Sequence, residues 1–186
     1  ASSVTDGAEG TITLSGGSLS YTNNLSTAQL SISNNYAAEE TTFQINKLDV
    51  ARAPVGSGSK TIAKNNYYEL VAVTTSGQQL SSFNNPVTFT ITYGTDTEND
   101  FTETTLDVYK YTGSGWEKKN CTLDTAANTL TCALNSFSTY ALLGDQKTTS
   151  GSSNTSTNND TSSSSTQACN DKAPYQSPDL FQIDST

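Results

Sequence analysis

The chain has 186 residues, a formal net charge of −9 and a sequence pI near 4.2, and it contains neither His nor Met. Nine Lys and Arg spread thinly leave no basic patch for phosphates, so nucleic acid is not an expected partner. Without imidazole, Ser-His and Cys-His nucleophile pairs and His-ligated metal sites are excluded, and the chain reads as a non-enzyme with no cofactor.

No apolar run is long enough to cross a bilayer, so no membrane-spanning segment is expected. A start at Ala1-Ser2-Ser3 without an initiator Met is consistent with a chain processed after a signal peptide. Abundant Thr, Ser, Asn, Tyr and Gly suit short strands joined by polar turns.

Residues 1–10 are small and polar and are expected to be loosely held unless they pair with something. Ile12 and Leu14, Leu19 and Tyr21, and Ala28, Leu30 and Ile32 form short alternating runs, separated by the turn doublets Gly16-Gly17 and Asn23-Asn24. Phe43 and Ile45 point one way while Leu48 and Val50 continue on the opposite parity, which suggests a bulge near Asn46-Lys47 or a strand changing sheets. Residues 53–59 form a loop. Tyr67 to Thr75 is a strand with apolar residues on both faces, expected at the centre of its sheet.

Pro86 to Gly144 is the best-patterned stretch. Val87, Phe89, Ile91 and Tyr93 alternate with Thr88, Thr90 and Thr92, the period of two that sends one set inward. Leu106 to Tyr111 leads through Thr112-Gly113-Ser114-Gly115 and out at Trp116, the pattern of a hairpin. With a turn at Thr125-Ala126-Ala127-Asn128, Asp124 faces Thr129, Leu123 faces Leu130, Thr122 faces Thr131 and Cys121 faces Cys132. Directly opposed residues of a non-hydrogen-bonded pair are close enough for a disulfide, which implies an oxidising compartment; the alternative is two buried free thiols. Cys169 is left over, to be free, bonded to another chain, or bonded to a cysteine outside this sequence.

About ten strands in about 145 residues, with no helical periodicity over three turns, point to an all-β fold: an immunoglobulin-like antiparallel β-sandwich spanning 1–145. Residues 146–168 are a Ser/Thr/Asn-rich linker, disordered or glycosylated, that cannot bury enough surface to offset its ordering entropy. Asn154-Thr-Ser and Asn159-Asp-Thr in the linker, and Asn24-Leu-Ser and Asn120-Cys-Thr in the sandwich, match the N-linked acceptor pattern. Residues 169–186 end in a short strand signal in which Phe181 and Ile183 share a face beside Leu180. It has no sheet of its own nearby and is expected to pair with another domain or subunit.

The strand at 91–93, the run TTLDVYKY with GSGW, LDTAANTLTC and FSTYALLG at 137–144 together resemble a β-sandwich module of secreted and cell-surface proteins of bacteria and archaea. The segment 169–184 resembles the junction between a Ser/Thr stalk and a following immunoglobulin- or fibronectin-like domain. Related modules often carry His-Phe-Ser before the last strand, an autoproteolytic sequence in some sandwich families. Ser136-Phe137-Ser138 stands there in this chain, and without the imidazole self-cleavage is not carried over.

Asp96, Glu98, Asp100 and Glu103 lie in one acidic loop that lacks the Gly and terminal Glu of a known calcium loop and reads as solvated surface, with calcium binding left open. Trp116, Tyr109, Tyr111, Tyr67 and Tyr68 are candidates for a sugar-binding platform, against the plainer reading of core packing. A Lys–Asn isopeptide with a nearby carboxylate would suit a surface fibre; Lys47, Lys60, Lys64, Lys110, Lys118 and Lys119 are the donors to consider.

The leading expectation is a structural subunit of an extracellular filament or surface layer, a homopolymer built by strand complementation and carrying covalent glycans. Burying Leu180, Phe181 and Ile183 in a neighbour would contribute about 5–8 kcal/mol before ordering costs. An adhesin or carbohydrate-binding module on a glycosylated stalk is the alternative, and a spacer within a secreted hydrolase is a third reading.

Overall fold

The computed structural model describes residues 3–148. Eleven strands form two antiparallel sheets: β1 Val4–Ile12, β2 Gly17–Thr22, β3 Ser26–Ile32, β4 Thr41–Leu48, β5 Thr61–Thr74, β6 Val87–Tyr93, β7 Asp107–Tyr111, β8 Trp116–Lys118, β9 Thr122–Asp124, β10 Thr129–Leu134 and β11 Thr139–Gly144. One sheet runs β1-β4-β5-β11-β7-β8 and the other β2-β3-β6-β10-β9. This is the all-β sandwich expected from the alternation of apolar side chains. The linker from residue 149 onward, with Asn154, Asn159, Cys169 and the strand of Leu180, Phe181 and Ile183, lies outside the described residues.

Alternation decides the core. Ala28, Leu30 and Ile32 of β3, Phe43 and Ile45 of β4, Phe89 and Ile91 of β6, and Leu130, Cys132 and Leu134 of β10 all point between the sheets and are buried. Phe43 is fully buried, with ring centroids 5.3 Å from Tyr36, 6.1 Å from Phe83 and 5.8 Å from Phe137. Each such side chain removed from water contributes about 1.5–3 kcal/mol against the entropy of ordering the chain. Tyr36 keeps its hydroxyl satisfied inside the core by donating to the Ile12 carbonyl at 2.6 Å.

The polar N-terminal residues do pair: β1 runs antiparallel to β4, from Val4 opposite Leu48 to Ile12 opposite Thr41. The expected bulge near Asn46-Lys47 is absent from β4, which keeps an unbroken register with β5 from Thr41↔Thr74 to Lys47↔Tyr68. The irregularity sits on β1, between Val4 and Asp6. The change of apolar parity at Leu48 has another cause: the outer face of the larger sheet has a cluster of its own. Leu48, Tyr67, Tyr109, Ala141 and Leu143 are buried there, with Val50, Ala53, Ile62 and Trp116 packed against them. The connection after β4, which turns through a short 3-10 segment at Val50–Arg52, supplies part of that cover. The same parity rule therefore leaves Lys47 on the inward side, with Phe43 and Ile45.

β5 is the third strand of its sheet and has buried residues on both faces, as its sequence suggests. Against β11, Ala141 faces Tyr67 and Leu143 faces Ile62, so Ala63, Lys64, Asn65 and Asn66 stand opposite Leu142 alone. This bulge carries an Asn pair to the end of the sandwich where α1, Thr95–Asp100, follows β6. The acidic stretch is thus a short helix rather than an open loop, begun by Gly94, whose Cβ position would lie 2.4 Å from the Leu25 carbonyl oxygen.

The β9–β10 hairpin has the register read from the sequence, Asp124↔Thr129, Leu123↔Leu130 and Thr122↔Thr131. Asp124 sets its turn by accepting hydrogen bonds from the Ala126 and Ala127 amides at 3.0 and 3.1 Å, while Asn128 takes a left-handed φ of 53°.

Candidate functional site

Cys121 and Cys132 form the expected disulfide, with Cα atoms 4.7 Å apart, close to the spacing of a non-hydrogen-bonded antiparallel pair. The Cys121 amide is held by Asp107, whose Oδ1 accepts at 3.0 Å while its Oδ2 meets the Lys118 ammonium at 3.3 Å. The staple therefore ties β9 to β10, and Asp107 ties the same segment to β7.

The acceptor asparagines in the sandwich are both exposed. Asn120 occupies the connection between β8 and β9 at φ 54°, and its partner Thr122 is exposed. Asn24 lies in the β2–β3 turn, which Asn23 closes by accepting from the Leu25 and Ser26 amides at 2.8 and 2.9 Å. Its partner Ser26 is buried, with its hydroxyl 3.0 Å from the Tyr68 hydroxyl. A sugar at Asn24 would have to be added before that hydroxyl is enclosed.

The aromatic candidates divide by side. Tyr68 points into the sandwich core, and Tyr67 and Tyr109 are buried in the outer cluster. Trp116 and Tyr111 alone of the five line an open groove of about 540 Å³ beside Pro54 and Val55. Their rings lie 5.3 Å apart, and the Trp116 indole donates to the Val55 carbonyl at 2.9 Å.

The acidic residues do not converge. Asp96 Oδ2 accepts from Asn65, Glu98 from Asn128 and Glu103 from the Tyr93 hydroxyl. Among the described residues no group of His, Cys, Asp and Glu could hold a metal ion. Burial and the Glu103 contact push the Tyr93 phenol well above its ordinary range.

Five of the six candidate lysines are accounted for at the surface. Lys60 bridges to Asp145 at 3.1 Å, Lys110 donates to Ser136, Lys118 and Lys119 meet Asp107 and Glu117, and Lys64 is exposed. Lys47 differs. It is 8 % exposed, and its Nζ is buried with no hydrogen-bond partner, 5.3 Å from the centroid of the Tyr68 ring. Loss of solvation pushes the amine down to about 8, with the Asp96 carboxylate opposing the fall.

Around Lys47 lies a polar cluster built from β3, β5 and α1. The Asn65 amide donates to Asp96 Oδ2 at 2.8 Å, and the Asn65 carbonyl accepts from the Ser26 and Tyr68 hydroxyls at 3.1 and 3.0 Å. Asp96 Oδ1 and Asn66 Oδ1 are buried without partners. Lys47 and Asn65 line one cavity of about 320 Å³ that also meets Asp6, Tyr21 and Asn23. The juxtaposition was not read from sequence. Strict parity through Phe43 and Ile45 was the available signal for an inward Lys47; nothing local linked it to Asn65 or Asp96.

Fold and site together define an all-β sandwich, stapled by one disulfide, that encloses a lysine–asparagine–aspartate cluster at one end. No protein-family model and no curated protein matches the chain. The disulfide is compatible with an oxidising, extracellular setting. Among the described residues no helix is long and apolar enough to cross a membrane.

Proposed function

We propose that the chain is a structural subunit of an extracellular filament or surface layer, assembled by strand complementation between copies and glycosylated along its Ser/Thr-rich linker. The observation that carries this reading is the edge formed by β1. It spans nine residues and, among the described residues, has β4 as its one neighbouring strand, so its other side is a sheet edge open to a further strand. Asp6 and Glu9 on that edge discourage promiscuous sheet pairing and favour a chosen partner strand. The segment Asp179 to Asp184, with Phe181 and Ile183 on one face, is short enough to be accommodated there.

The test is electron microscopy and size-exclusion analysis of the full chain beside a chain lacking residues 179–186. The full chain is expected to polymerise and the shortened one to stay monomeric with an unchanged circular dichroism spectrum. Polymers of equal length after the deletion, or a full chain that stays monomeric at high concentration, would refute the reading.

A second reading, a carbohydrate-binding module, rests on the groove of Trp116 and Tyr111 beside the exposed Val55 loop. Binding on a glycan array that Trp116→Ala abolishes would favour it; an array with no bound glycan would remove it.

A further inference from the structure

A lysine amine withdrawn from water with no carboxylate or carbonyl in hydrogen-bond reach is a costly thing to place in a β-sandwich interior. Lys47 is such a group: its Nζ is buried and unpartnered, while the five other candidate lysines reach solvent or a polar partner. Its surroundings bring an amide and a carboxylate together. Asn65 lines the same cavity, its side-chain amide is hydrogen-bonded to Asp96, and the second carboxylate oxygen of Asp96 is buried and unengaged.

We propose that Lys47, Asn65 and Asp96 form an autocatalytic cross-linking site, in which the Lys47 Nζ attacks Cγ of Asn65 and joins β4 to β5 by an intramolecular amide bond. The Nζ–Cγ bond forms, the Cγ–Nδ2 bond breaks, and ammonia leaves. The Asp96 carboxylate takes up the proton shed by the attacking nitrogen and gives that same proton to the departing Nδ2, which it already contacts through Oδ2 at 2.8 Å. The exchange balances without metal, oxidant or nucleotide.

Three features of the fold serve this step. Burial keeps a substantial part of the amine neutral near pH 8, and a neutral amine is the nucleophile. The Asn65 backbone carbonyl is pinned by Ser26 and Tyr68, which fixes the side chain's point of departure. The bulge of β5 brings Asn65 toward α1, where Asp96 stands two residues past Gly94. Asn66 is the neighbouring amide, but its Nδ2 is directed to the Thr97 hydroxyl at 3.5 Å rather than to the carboxylate.

Intact mass spectrometry of the purified, unglycosylated full chain tests the proposal, with the disulfide counted. The mass is expected to fall short of the sequence by one ammonia, and a proteolytic digest to yield a branched peptide joining Lys47 to Asn65. Lys47→Arg and Asn65→Ala chains are each expected at the full sequence mass. Asp96→Ala is expected to slow bond formation by about a hundredfold or more, leaving uncross-linked chain in freshly folded material. A folded wild-type chain at full sequence mass would overturn the proposal, and that reading needs no variant to fold. A branch at Asn66 or at another lysine, or an Asp96→Ala chain that cross-links at the wild-type rate, would overturn it as well.

Discussion

Replacing both Cys121 and Cys132 by Ala removes the one covalent tie among the described residues whose contribution can be worked out from chain statistics. The bond spans a sequence separation of 11. Closing a loop of that size in the unfolded chain is worth about 3 kcal/mol by loop-entropy arithmetic. Cys132 is buried, so its truncation adds about 1 kcal/mol of lost packing. The sum, about 3–4 kcal/mol, sits on a hairpin that is otherwise independent of the bond. β10 pairs with β6 along its whole length, from Thr129↔Thr92 to Leu134↔Val87, so the variant is expected to fold. Urea unfolding followed by Trp116 fluorescence reads the effect. With a slope of about 2 kcal/mol/M, the midpoint should fall by about 1.5–2 M with the slope unchanged. A fall of less than about 0.5 M would refute the reasoning, because the denatured hairpin would then already hold its ends together. Loss of a cooperative transition would refute it from the other side, by showing that the bond rather than the core specifies this sheet.

Phe43→Ala, which empties the centre of the Tyr36, Phe83 and Phe137 cluster, is expected to cost about 3–5 kcal/mol by the same urea measurement. The Lys47 amine gives a pH dependence of defined sign in a chain where it stays free, such as Asn65→Ala. Its folded value near 8 lies below the ordinary 10.5, so burial penalises the folded state fully below pH 8 and the penalty fades as pH rises toward 10.5. Discounted for solvent access at the cavity mouth, the penalty is about 2–3 kcal/mol. Adding Lys47→Met to Asn65→Ala should therefore stabilise by that amount at pH 7 and by almost nothing at pH 11. Above pH 10 both chains should lose stability together. Tyr68, pushed up to about 12 by burial, and Tyr93 and Tyr140, pushed higher still, keep their protons in the folded state and release them on unfolding. A constant difference between the two chains from pH 7 to 11 would show that the amine is solvated.

The elements legible in the sequence were those governed by neighbours. β3, β6 and β10 announce themselves by side chains alternating at i and i+2, and their inward residues are the ones found buried. The Cys121–Cys132 pair followed from counting outward from one turn, because a hairpin's register depends only on its own loop. Lys47 shows where local reading stopped. Its inward position is encoded in the parity of Phe43 and Ile45, yet Leu48 and Val50 fit a bulge equally well in sequence, because a strand covered on both faces carries two apolar parities at once. The acidic stretch looks like open loop in sequence because the six residues of its helix are too few to show helical periodicity. The aromatic residues could not be sorted from sequence alone, since Tyr67 and Tyr68 are adjacent and one faces each way.

By itself the sequence determined the all-β character, the inward face of each clear strand, the turns at Gly and Asn, and the disulfide. Each of these rests on interactions spanning a few residues. Tertiary structure alone decided that β1 closes against β4, that β5 lies between β4 and β11, and that Lys47, Asn65 and Asp96 meet. Alternation tells a side chain which face to take and says nothing about which distant strand will lie beside it. That choice is made by the packing of whole sheets, and the enclosed cluster is one of its products.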